Sequence, residues 1–97
     1  MKLSTPWVDQ TQDQFNVMAV RDNHPAVETL NQVFGDHTFF VGEEGLHIVE
    51  EANPDDRNSA AHEVVKIASW TDGERNTLVP QEREPVGVVM LTDPPRH

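Results

Sequence analysis

Five histidines, His24, His37, His47, His62 and His97, stand among seventeen Asp and Glu residues, and imidazole beside carboxylate is a donor set suited to zinc, iron or manganese. Their spacing argues against a site. No pair forms HxH, HxxxH or HExxH, and the hairpin register derived below puts His37 and His47 on opposite faces of a sheet. No metal and no cofactor is expected. His24 reads as a residue beside a helix cap and His97 as a terminus, which leaves His62-Glu63, next to a long polar connection, as the pair best placed for chemistry.

Other constellations fare no better. Asn53-Pro54-Asp55-Asp56-Arg57-Asn58 is rich in oxygen donors, but a calcium-binding EF-hand loop starting at Asn53 needs Gly at 58 and Glu at 64, where this chain has Asn58 and Val64. Paired carboxylates occur at Glu43-Glu44, Glu50-Glu51 and Asp55-Asp56. Acid-base catalysis needs carboxyls in unlike environments, which adjacent exposed pairs do not supply. Ser59 lies three residues before His62 without a nucleophile elbow around it. Gly42, Gly45, Gly73 and Gly87 form neither a phosphate loop nor a dinucleotide fingerprint. Arg57, Arg75 and Arg83 fall in connections, where they balance local carboxylates. Trp70 ends a strand beside a turn, as a core-edge aromatic or a contact anchor.

The elements that must hold these residues can be read from periodicity. Residues 1–14, with Pro6 and a run of Asp and Gln, offer little to bury beyond Leu3, Trp7 and Val8, and are expected to form a loosely ordered N-terminal arm. Phe15–Val20 suits a buried strand. Asp22-Asn23-His24-Pro25 supplies helix-start chemistry, and Val27, Leu30, Val33 and Phe34 follow along one side of a helix over about 24–34 that Gly35 ends. Thr38–Val41 and Leu46–Glu50 flank Gly42-Glu43-Glu44-Gly45, a hairpin that pairs Val41 with Leu46, Phe40 with His47, Phe39 with Ile48 and His37 with Glu50. One hairpin face holds Phe39, Val41, Leu46 and Ile48. The other holds Thr38, Phe40, His47 and Val49, only partly polar, and needs cover from the arm, a loop or another subunit.

Residues 51–61 form a long polar connection, the place for any functional loop. His62–Trp70 alternates as a strand, with Val65 and Ile67 on one face and Val64, Ala68 and Trp70 on the other. Asp72-Gly73 turns the chain into a short strand at 76–79, the segment Pro80–Pro85 makes a second turn, and Val86–Thr92 is the last strand. The expected fold is therefore α+β. It has two layers, a mostly antiparallel sheet of four to five strands with one main helix on one face, in the order β-α-β-β-β-β. Residues 15–92 make a single domain and 93–97 a tail.

Composition bounds the function. A length of 97 residues suits one domain. The absence of cysteine excludes disulfides, thiolate metal sites and a cysteine nucleophile. The start lacks an apolar stretch of signal-peptide length, and the longest apolar run, Val86–Leu91, is far short of the roughly 20 residues a helix needs to cross a bilayer. A soluble, cytoplasmic protein is expected. Its net charge of -10 repels phosphate backbones and anionic lipids, so neither nucleic acid nor membrane is an expected partner.

Three functions follow as expectations. The first is a non-catalytic accessory or interaction domain that binds a protein partner or a second copy through the face around Phe40, Val49 and Trp70, or through the edge of the last strand. The second is a small enzyme or metabolite-binding domain with a pocket between the 51–61 loop and the hairpin, using His47 or His62 with Asp55, Asp56 and Arg57 and taking an unspecified small molecule; with Phe40 and Trp70 these are the candidate binding residues. The third is an acidic mimic of nucleic acid that occupies a basic protein.

Overall fold

The computed structural model describes residues 2–21, 23–52, 55, 60–71 and 77–92. Within them the chain is α+β, with two helices and one open, fully antiparallel sheet of five strands. The elements are α1 (Thr5–Gln14), β1 (Val17–Ala19), α2 (Pro25–Phe34), β2 (Phe40–Gly42), β3 (Gly45–Glu51), β4 (Ala61–Trp70) and β5 (Leu78–Met90), and the strands lie in chain order with β1 and β5 at the edges.

Local chemistry accounts for α2 and the hairpin as read from the sequence. His24 is itself the N-cap of α2. Its Nδ1 accepts a hydrogen bond from the Ala26 backbone at 3.1 Å, and Pro25 occupies the first turn. Gly35 ends the helix at φ 92°, a conformation that favours glycine. The hairpin pairs Val41 with Leu46 and Phe40 with His47. At Gly45 the φ is 143° and a Cβ would overlap the Ala68 carbonyl, so the β3–β4 approach requires glycine there.

The sheet carries a buried cluster on each face. Phe39, Leu46, Ile48, Val65, Ile67 and Ala68 form one, joined by Leu30 and Phe34 of α2. Phe40, Val49, Val64, Val89 and Leu91 form the other, joined by Leu3, Trp7, Val8 and Phe15. Neighbours such as Ile48 and Val49, or Val64 and Val65, fall in different clusters because successive strand residues point to opposite faces.

Three expectations need correction. First, a second helix, α1, stands where a loosely ordered arm was expected, so the chain has two helices rather than one main helix. Trp7, Thr11 and Phe15 recur every four residues and make the inward stripe. Thr11 is fully buried and its hydroxyl donates to the Trp7 carbonyl at 2.9 Å, which hides a polar residue in an apolar row. Second, the strands expected at 76–79 and 86–92 are one strand, β5, running through Pro80 and Pro85. Pro is tolerated at an edge because its missing N–H can face away from the ladder. Third, Ala68 joins the Val65 and Ile67 cluster rather than that of Val64. The β4–β5 register shifts between Lys66 and Ala68, and such an irregularity resets the alternation.

Asp22, Asn53, Pro54, Asp56–Ser59, the Asp72-Gly73 turn with Arg75 and Asn76, and the tail at 93–97 with His97 lie outside the described residues.

Candidate functional site

The concave side of the sheet is where helix and strands leave space. A cavity of about 270 Å³ is lined by Phe15, Asn16, Val17, Gly42, Glu43, Glu44, His47, Val64 and Val86. Each of the five strands contributes to this lining: Val17 from β1, Gly42 from β2, His47 from β3, Val64 from β4 and Val86 from β5. A flat sheet would hold its first and fifth strands about 19 Å apart, so one small cavity touching both requires a curled sheet. Register shifts at Leu46/His47, Val64/Val65 and Lys66/Ala68 supply the bends. Phe15 closes the gap between the edges. Its ring lies against Gly87, where a Cβ would come within 2.8 Å of it.

Helix α1 fills the rest of the concavity and fastens both sheet edges. Gln14 pairs with the Met90 backbone, its Nε2 donating to the carbonyl at 2.9 Å and its Oε1 accepting from the N–H at 3.0 Å. One turn earlier Gln10 does the same with Thr92, at 2.8 and 2.9 Å. Leu91 between them donates inward to Ala60, so Met90 and Thr92 present their backbone groups outward. On the opposite edge, Gln12 Oε1 accepts from the Ala19 N–H at 2.8 Å. Three glutamines at alternate positions thus act as substitute strand partners.

His47 is the polar centre of the cavity. It is only 4% exposed, its Nδ1 is buried without a hydrogen-bond partner, and burial holds its pKa below the ordinary histidine value. The nearby Glu44 charge and the backbone at Gly45 and Phe40 oppose this shift, whereas Lys66 adds to it. Lys66 is itself paired with Glu84 at 3.6 Å. The ring is therefore neutral at pH 7 and offers one donor and one acceptor nitrogen. Glu43 and Glu44 form the exposed turn at the cavity mouth.

The described members of the expected site set lie in different surroundings. Phe40 is fully buried in the concave-face core. His62 is buried beneath Trp7, ring centroids 5.0 Å apart, and its Nδ1 lies 3.1 Å from the Ala60 carbonyl. Pairing of His47 with Lys66 and of Glu51 with His62 separates the two histidines by four rungs, about 13 Å along the ladder. Trp70 donates from Nε1 to the Gly42 carbonyl at 3.0 Å and so pins the hairpin. Asp55 is exposed, and Asp56 and Arg57 lie outside the described residues. Of the described residues in this set, His47 alone lines the cavity. Phe15, Val17, Val64 and Val86 were not anticipated as walls, because their convergence depends on curling; the Gln10, Gln12, Gln14 alternation was the one visible signal.

A second concavity, of about 450 Å³, lies beside α2 and is lined largely by apolar side chains including Met18, Leu30, Val41 and Leu78. Its histidine, His24, already spends Nδ1 on the helix cap. Among the described residues no three His, Asp or Glu side chains cluster as metal ligands, and no helix is long and apolar enough to cross a membrane.

No family model, curated protein or solved structure matches the chain.

Proposed function

We propose that the protein is a non-catalytic binding domain that takes a small molecule in the concave cavity beside the hairpin. The observation that carries this reading is His47: a buried imidazole whose Nδ1 has no partner, in the wall of a recess that Phe15, Val17, Val64 and Val86 line together with Asn16, Glu43 and Glu44. A buried polar atom left unsatisfied costs about 1–3 kcal/mol, and a ligand that supplies the missing hydrogen bond recovers part of that. Apolar walls with a few convergent polar groups are the usual make-up of a ligand pocket. The non-catalytic part rests on the imidazole of His47, which no side chain among the described residues hydrogen-bonds at Nδ1 to orient it for proton transfer. The proposed pocket lies at the hairpin end of the sheet, at Gly42, Glu43, Glu44 and His47.

A thermal-shift and NMR screen of small ring compounds tests this. Binders should raise the melting temperature of the wild type, perturb the His47 ring resonances, and lose affinity in His47→Leu. A screen in which every compound leaves the His47 resonances unmoved refutes the reading.

The accessory-protein reading has a separate foothold on β5, where Val79, Val86, Val88 and Met90 are all exposed. Self-association through Phe40 and Val49 loses its basis, because both are covered from within the chain. A second copy would dock on these exposed β5 side chains; at Met90 and Thr92 the outward backbone groups are occupied. Light scattering decides this: a dimer abolished by Val88→Glu supports it, and a monomer at high concentration removes it.

A further inference from the structure

Resting on the cavity as a ligand site, we propose that its occupant is a small cationic amphiphile, an amine carried on a compact apolar body.

The walls and the polar groups select different ends of such a molecule. Phe15, Val17, Val64 and Val86 surround the interior with hydrocarbon, which favours an aromatic or branched aliphatic body. At about 270 Å³ the space lies just under the usual lower limit of ligand pockets, so a single ring fits better than a fused system. Beside Asn16, whose amide both donates and accepts, the polar side chains of the lining offer acceptors. The Glu43 and Glu44 carboxylates at the mouth can only accept, and a neutral His47 adds one lone-pair nitrogen. An ammonium, which only donates, complements them, whereas a carboxylate would face two like charges.

Charge elsewhere points the same way. The positive group nearest His47, Lys66, is engaged by Glu84. The net charge of -10 raises the local concentration of cations around the molecule. His47 is a second mark beside the acidic turn, a histidine only 4% exposed that stands among the lining residues with its Nδ1 unpartnered.

The test compares three isosteric probes by calorimetry and by His47 ring shifts: 2-phenylethylamine, 2-phenylethanol and phenylacetate. The amine should bind about fivefold more tightly than the alcohol, a margin typical of exposed ion pairs, and phenylacetate most weakly. Raising NaCl from about 20 to about 200 mM should shrink the amine's advantage and leave the alcohol unchanged. The double variant Glu43→Gln, Glu44→Gln lies in an exposed turn and should bring the amine's affinity down to that of the alcohol measured on the same variant. If alcohol and amine bind equally, or phenylacetate binds best, the cationic selectivity is overturned while the cavity stands as a ligand site. If none of the three moves the His47 resonances, both the selectivity and the site are overturned.

Discussion

His47 and His37 make stability depend on pH. Burial is the leading cause of the lowered pKa of each. The unfolded chain then binds protons at about pH 6.5 while the folded chain resists them, so stability is fully present above that value. It is lost as pH falls from 6.5 toward the lower folded values. The urea midpoint should fall between about pH 7.5 and about pH 5.5, and His47→Gln should flatten the slope in part, His37 retaining the remainder. Gly45 tests the backbone. Gly45→Ala combines a left-handed φ with a clash against the Ala68 carbonyl and should cost about 3 kcal/mol or more by chemical denaturation. Trp70→Phe removes the donor to the Gly42 carbonyl and should cost about 1 kcal/mol, with added exchange broadening of the hairpin resonances.

Helix α1 shows how an element escapes sequence patterning. Its inward stripe of Trp7, Thr11 and Phe15 is broken by a threonine, and its glutamines look like solvent-facing filler although they serve as edge partners of β1 and β5. Periodicity scores apolar side chains, so a helix held by amides is under-read. By contrast α2 was legible because its cap, proline, apolar row and terminal glycine all agree. Edge strands with unsatisfied backbone invite strand addition. Replacing Gln10 and Gln14 with leucine keeps helix propensity and length but frees the Met90 and Thr92 backbone groups. The double variant should lose about 1 kcal/mol per site and gain a concentration-dependent increase in mass by light scattering. An unchanged monomer of unchanged stability would show that the glutamine pairs are incidental.

The molecule as a whole carries -10 on 97 residues, and self-repulsion of that size opposes the compact state. Adding NaCl from about 10 to about 150 mM should raise the melting temperature by a few degrees as repulsion is screened. The same salt should weaken amine binding, so the two responses have opposite signs. Partial ion pairing softens the repulsion: Arg83 meets Glu50, Lys66 meets Glu84, and Lys2 lies 3.5 Å from Asp36. Arg83 was expected to balance a local carboxylate, and its partner Glu50 comes from β3, two strands away in the sheet order.

By itself the sequence determined the class, the presence of α2, the two hairpin pairs nearest the turn, Val41 with Leu46 and Phe40 with His47, and the division of the hairpin into two faces, whereas the expected pairs Phe39 with Ile48 and His37 with Glu50 are not in the β2–β3 ladder. Each feature so determined follows from local chemistry: a period of two or of 3.6, a cap, a proline, a glycine turn. It also identified His47 as one candidate among several, with nothing to raise it above His62. Only the tertiary structure decided between them. Four rungs of one ladder put His62 beneath Trp7 and His47 in the wall of a cavity, and whether a strand residue meets a helix or an opening depends on how far the sheet curls. That curl is set by register shifts between strands far apart in the chain, and by a helix whose amides reach both edges, which no local window contains.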